Sequence, residues 1–254
     1  VPTSQLSLRA RCHCQGGLAS PRPCRVPPAP NVLTSLYMEY LRENKQRSAE
    51  TKLSFIDYQA SIGFTDPSVS VVGMDDRVLA EPAVGDGVQL LAIPKKGVQG
   101  TLRVMVLLVD FPDRPGSLSP AHYEDLLFSK GVHPTGSMRD YYAEVSNGKV
   151  DVVGTVQGWF RMPRMYSTYV NGESGMGPHS YPNNCQALAE DAAKAAVAAG
   201  VVFPADLDNL QTSTVTALFI VHAGRGAEKE QTKDARDAEI WSHKWNAANP
   251  VEVG

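Results

Sequence analysis

The sequence predicts a layered α/β or α+β fold. The run "LRVMVLLVDF" (102–111) is continuously apolar and strand-sized, as expected of a strand covered on both faces. Downstream of it, helical stretches with their own start and stop signals alternate with further β-like runs. At 254 residues and 43% hydrophobic content, the chain is also long enough to bury a sizeable core.

Residues 1–30 are rich in Pro, Arg, Ser, Gly and Cys and lack a hydrophobic period, which predicts a poorly ordered segment. Three of the four cysteines, Cys12, Cys14 and Cys24, lie here, and Cys185 stands apart. Zinc is a poor fit to "CHC", because ligands one residue apart fall short of the usual two-to-four-residue spacing. A loop disulfide, or no fixed role, fits better. In "NVLTSLYMEYLREN" (31–44), Val32, Leu33, Leu36, Tyr37, Tyr40 and Leu41 recur at helical spacing after a proline cluster. Residues 46–98 are mixed, with short β-like pieces "SVSVVGM" (68–74) and "VQLLAIP" (88–94). A compact domain is expected to begin near residue 100. The division predicted is 1–30 poorly ordered, 31–99 an intermediate segment, and 100–254 the domain.

Within that domain, "SPAHYEDLLF" (119–128) offers Ser119 as a helix cap and Pro120 at the first helical position. "SMRDYYAEVSNG" (137–148) reads as a helix closed at Asn147-Gly148, with a long strand from Lys149 onward. "NCQALAEDAAKAAVAAG" (184–200) is an Ala-rich helix ended by Gly200. "STVTALFIVHAG" (213–224) is expected as a second buried strand. "AEIWSHKW" (238–245) is expected as a third, with Ile240 and Ser242 on one face and Trp241, His243 and Trp245 on the other.

Composition narrows the partners. A formal net charge of −3 gives no basic surface for nucleic acid or an anionic membrane. The longest apolar run, Val104 to Val109, is far short of the roughly 20 residues that span a bilayer. The sequence begins at Val1 without a charged-then-apolar leader, so export is not read directly from it. Oligomeric state is not specified either.

The motifs resembling known sites are incomplete. "GESGM" (172–176) lacks the final glycine and the strand-to-helix bend of a serine-hydrolase elbow. "HAGRG" (222–226) leads into "AEKEQTKDARDAE", whose acids repel phosphate. No two of the six histidines are four residues apart, so no helix in this sequence presents a His-x-x-x-His pair to one metal. Asp110 and Asp113 in "VDFPD" can bind calcium with backbone carbonyls, cap the next helix, or face water.

Four stretches together resemble the M6 family of zinc metallopeptidases, the immune inhibitor A type. They are "VMVLLVDFPD" (104–113), "HPTGSMRDYYAEVSNGKVDVVGTVQGWFRMP" (133–163), "VTALFIVHAGRGAE" (215–228) and "DAEIWSHKW" (237–245). Before them, "CRVPPAPNVLTSLYMEYL" (24–41) loosely resembles the family's pro-region, which would make 31–99 pro-region-like. The resemblance implies a zincin-like domain with a twisted, mostly parallel sheet, backing helices and a cleft at its edge strand. It implies a secreted protein acting on protein or peptide substrates, with zinc as cofactor. The family's His-Glu-x-x-His helix follows the segment corresponding to "IWSHKW", and no such motif occurs here. The expectation is therefore the amino-terminal part of such a peptidase, inactive by itself, with no catalytic residue or zinc ligand in this chain. Trp241, His243 and Trp245 would form a wall of the substrate cleft. Calcium at Asp110 and Asp113, with Glu228 or Asp237, is compatible with this and with the alternative of an inactive pseudopeptidase or interaction module.

Overall fold

A computed structural model describes residues 24–26, 28–62, 99–177, 179–209, 213–245 and 247–254. The β-like pieces at 68–74 and 88–94, together with Cys12 and Cys14, lie outside the described residues, as does the side chain of Cys24. In chain order the elements begin with β1 (Cys24–Arg25), α1 (Pro30–Gln46), α2 (Phe55–Ser61) and β2 (Gly100–Asp110). They continue with α3 (Pro120–Phe128), α4 (Met138–Val145), β3 (Val150–Arg161), α5 (Tyr166–Val170) and α6 (Cys185–Ala198). Last come β4 (Leu218–His222), α7 (Lys233–Asp237) and β5 (His243–Lys244).

The predicted mixed α/β class is observed, and β2 is its axis. It lies between β3 and β4 in a three-stranded sheet whose pairings are both parallel. Its side chains alternate between two cores. Val104, Val106 and Leu108 pack with Phe128 of α3, Val152 and Val156 of β3, and half-buried Met138 and Tyr142 of α4. Met105, Leu107, Val109 and the following Phe111 pack with Tyr166, Tyr169 and Val170 of α5 and Leu188, Ala192, Ala193 and Ala196 of α6. A parallel crossover puts helices on the sheet faces, which is why the run is apolar at every position and not at every second one. Burying each such Val or Leu contributes about 1.5–3 kcal/mol.

The helices start where the sequence signals them. Ser119 Oγ accepts from the His122 N–H, with Pro120 opening α3. Ser137 and Asp140 form a reciprocal capping box at α4. Asn184 Oδ1 accepts the N–H groups of Gln186 and Ala187 at the start of α6. Asn147 and Gly148 then turn the chain into β3 through positive φ, 52° and 73°.

β3 carries one irregularity that matters for packing. Leu108 pairs with Gly158 and Val109 with Phe160, so Trp159 is an extra, bulged residue. Gly158 sits at φ 113°, and a Cβ there would strike the Leu108 carbonyl oxygen. The bulge sends the Trp159 indole toward α3, where Nε1 donates to the Leu118 carbonyl at 2.7 Å and the ring meets Tyr123 edge-on.

Two expectations are corrected. β4 is shorter than predicted and only half-buried, with Phe219 38% exposed, because β2 is its sole sheet neighbour among the described residues. "AEIWSHKW" is not one amphipathic strand: only His243–Lys244 within it is β-structure, as β5, and Ile240 and Trp241 are both 3% exposed, so neither faces solvent. Ile240 enters the core under α6, while Trp241 joins a separate cluster with α1. Residues 1–23 of the segment expected to be poorly ordered lie outside the described residues; Cys24–Arg25 at its end form β1, which pairs antiparallel with β5.

Val106 is fully buried. Val106→Asp is expected to cost on the order of 4–5 kcal/mol or more and to abolish cooperative thermal unfolding by circular dichroism. An unchanged melting temperature would remove β2 from the core. Gly158→Ala is expected to cost roughly 2–3 kcal/mol in denaturant titration, since it combines positive-φ strain with a backbone clash.

Candidate functional site

Open parallel sheets present their sites beyond the carboxyl ends of the strands. There the loops following β2, β3 and β4 meet the segment after α7. At the tip of β2, Asp110 is a cross-strand neighbour of Arg161 and accepts both its Nε (2.6 Å) and Nη2 (3.0 Å), plus the Gly116 N–H at 3.0 Å. Burial alone would raise the Asp110 pKa, but Arg161 and the Gly116 N–H outweigh it and hold the carboxyl below the ordinary range.

One turn further on, Arg114 grips Glu239 through two hydrogen bonds of 2.6 and 2.9 Å and lies 3.9 Å above the Tyr166 ring. The Tyr166 hydroxyl donates to Glu239 at 2.8 Å and accepts the Ile240 N–H at 2.8 Å. Asp113 accepts the Tyr166 N–H at 2.8 Å, and Phe111 meets the Tyr166 ring edge-on at 5.0 Å. Gly224 makes room for this assembly: it adopts φ 125°, and a Cβ there would lie 2.8 Å from Arg114 Nη1.

His222, at the end of β4, is tilted against Tyr166 with ring centres 5.8 Å apart, and its Nδ1 lies 3.2 Å from the Ala223 carbonyl. Burial lowers its pKa and favours the neutral ring. Burial also pushes the Tyr166 hydroxyl far above the phenol range. Burial opposes the charge on Glu239, but the hydrogen bonds from Arg114 and Tyr166 prevail and hold it ionised. A neutral phenol, a neutral imidazole and a committed ion pair are not poised for proton transfer near neutral pH. The cluster instead fixes the segment 238–244 to the tip of β2.

The sequence-predicted residues divide. Asp110 and Asp113 do not converge: the first is bound to Arg161 and the second to the α5 backbone. Glu228 accepts from Ser242 through its N–H and hydroxyl, and Asp237 pairs with Lys233. Each carboxylate is thus spent on a different local partner, and the calcium reading has no support. Trp241 is buried, its Nε1 donating to the Val26 carbonyl at 2.9 Å. Half-buried His243 places Nδ1 2.5 Å from the Trp241 carbonyl, and its ring lies 6.0 Å from that of half-buried Trp245. These three do lie together on one segment.

Arg114, Arg161, Tyr166 and Glu239 were not singled out by sequence reasoning. Arg114 follows a strand-ending Asp by four residues, and Glu239 is a lone acid directly before "IW". Nothing marks Tyr166, which meets them only through the parallel crossover.

Zinc requires three or four converging N, S or O ligands. Among the described residues, no three His, Cys, Asp or Glu side chains come together. The Cys185 thiol is pushed up to about 12 by burial and is no thiolate donor. The described residues do not fit a zinc site. No described helix is long and apolar enough to cross a membrane.

A family model described as immune inhibitor A peptidase M6, catalytic domain, matches residues 91–253. Immune inhibitor A of Bacillus thuringiensis subsp. alesti is 29% identical over 209 residues, covering 68% of this chain and 28% of its own length. Pre-pro-metalloprotease PrtV of Vibrio cholerae serotype O1 is 30% identical over 184 residues, covering 59% of this chain and 20% of its own. The chain therefore spans less than a third of either relative.

Tyr166→Phe is expected to lower stability by about 1–3 kcal/mol, since the Ile240 N–H and Glu239 each lose a buried partner. A cost near zero in denaturant titration would deny the hydroxyl its role. His222 has its folded pKa below the ordinary 6.5, so the unfolded chain binds its proton more readily. The stability it contributes is complete above that value and is lost as pH falls below it. Melting temperatures measured from about pH 7.5 down to about pH 5 should fall, and His222→Gln should flatten that slope.

Proposed function

The chain belongs to the immune inhibitor A peptidase M6 family, and from that membership we propose that it is the amino-terminal portion of a secreted zinc metalloendopeptidase. In this reading residues 100–254 are the first part of the peptidase domain, 31–99 are pro-region, and 1–30 are a leading segment. The match over residues 91–253 carries the proposal. Zinc and the groups that work with it are held by residues outside this sequence, which has no His-Glu-x-x-His, and the chain by itself is inactive. This portion supplies the sheet and a cleft wall at Trp241, His243 and Trp245, held in place by the Arg114–Glu239–Tyr166 cluster. Export and a pro-segment accord with the description of one relative as a pre-pro-metalloprotease. Protein or peptide substrates follow from the same family chemistry.

The test compares two products: the complete reading frame containing these residues, and residues 1–254 alone. The complete product is expected to bind one zinc per chain and to cleave casein in a chelator-sensitive way, and the shorter one to do neither. Zinc-dependent cleavage by residues 1–254 would place the ligands inside this sequence. A complete product with neither zinc nor activity would leave an inactive pseudopeptidase or interaction module as the correct reading.

A further inference from the structure

We propose that residues 24–46 are a separable strap: they dock on a face built by residues 174–176, 227–228 and 240–244, and stay bound there after the connection through residues 63–98 is cut. The docking has two parts. The first reads backbone. β1 pairs antiparallel with β5, the Val26 N–H donates to the Ser242 carbonyl at 3.0 Å, and Trp241 Nε1 donates back to the Val26 carbonyl at 2.9 Å. The Ala29 N–H closes the set by donating to the Glu228 carbonyl at 3.0 Å. The second part is a helical knob. Val32 and Leu36, one turn apart on α1, are buried against Met176, Ala227 and Trp241, with Ala29, Phe55 and Ile62 at the margin.

The receiving face is held by contacts within the domain itself. The Trp241 N–H donates to the Ser174 carbonyl at 3.1 Å, and the Ala227 N–H to the Ile240 carbonyl at 2.9 Å. The Ser174 hydroxyl donates to the Arg236 carbonyl at 2.8 Å, and the Glu228 carboxylate accepts from Ser242. The strap is likewise a unit. Asn44 exchanges hydrogen bonds with the Leu53 backbone, and Tyr37, Tyr40, Phe55 and Tyr58 join α1 to α2 through ring contacts. The cluster between strap and face shares no buried residue with either sheet core, so the strap can leave without emptying them. It also lies wholly before residue 91, where the family match begins. Two surfaces each complete in themselves, joined by one apolar cluster and a backbone clip, form an interface and not a single core. The inference stands on these contacts and not on the catalytic reading.

The experiment uses the full chain with one specific protease site placed within residues 63–98. After cleavage, the two parts are expected to co-elute as one particle by size exclusion with light scattering at low micromolar concentration. Val32→Asp with Leu36→Asp should reduce the retained fraction more than about tenfold, because two charges would enter the apolar cluster. Ala29→Pro is the gentler variant. Position 29 already has φ −57°, so proline fits the backbone there while removing the donor to Glu228, and a weakening of about fivefold is expected. Retention of sheet ellipticity in the variants shows that separation is not unfolding. Parent parts that separate on cleavage would overturn the proposal, as would a double-aspartate variant that holds together as well as the parent.

Discussion

Everything else in the fold depends on β2 being covered on both faces. Its even-numbered residues look toward α3 and α4 and its odd-numbered residues toward α5 and α6. That requires both neighbouring strands to run parallel to it, because only crossover connections bring helices back over both faces. The crossovers in turn decide where the chain emerges. The ends of β2 and β4 and the start of α5 meet at one edge, so Arg114, Tyr166 and His222 meet there although they are far apart in sequence.

What is assembled at that edge is a clamp. Arg114 and Tyr166 are positioned by the sheet, and both close on Glu239, whose neighbour Ile240 returns an N–H to the Tyr166 hydroxyl. This ties a segment with little regular structure to the end of β2, whose residues 104–110 are buried. From that anchor, Trp241 is directed away from the main core and toward α1. The polar groups of the clamp are mutually satisfied, which suits a scaffold and does not suit a group that must exchange protons. A second polar set has the same character: Asp191 accepts from both Arg164 and Tyr169, tying α5 to α6.

Much of this was legible in the sequence where local rules act. The buried run 104–109, the cap at Ser119, and the turn at Asn147-Gly148 follow from periodicity and backbone chemistry, and all are present. The family resemblance was legible in four long stretches, and it belongs to the same level of description as the matched model. The failures share a cause, which is that tertiary placement overrides local pattern. "AEIWSHKW" has strand composition, yet only His243–Lys244 pairs: the Ile240 N–H is claimed by Tyr166 and the indole of Trp241 by Val26, so both side chains are buried where a solvent-facing side was expected. Asp110 and Asp113 look like a pair on paper, but the bend between them and the arrival of Arg161 and Tyr166 send them to different partners. No local signal announces Tyr166, because its partners come from three other parts of the chain.

Through the Arg114–Glu239–Tyr166 clamp, the segment around Ile240 belongs to the same cooperative unit as β2. Native-state hydrogen exchange on the full chain measures this directly. The amides of Val104 to Val109 and the amide of Ile240 are expected to share the slowest class and to exchange only through global unfolding. An Ile240 amide exchanging at the rate of an exposed loop, while the β2 amides stay protected, would show that the clamp does not hold this segment to β2.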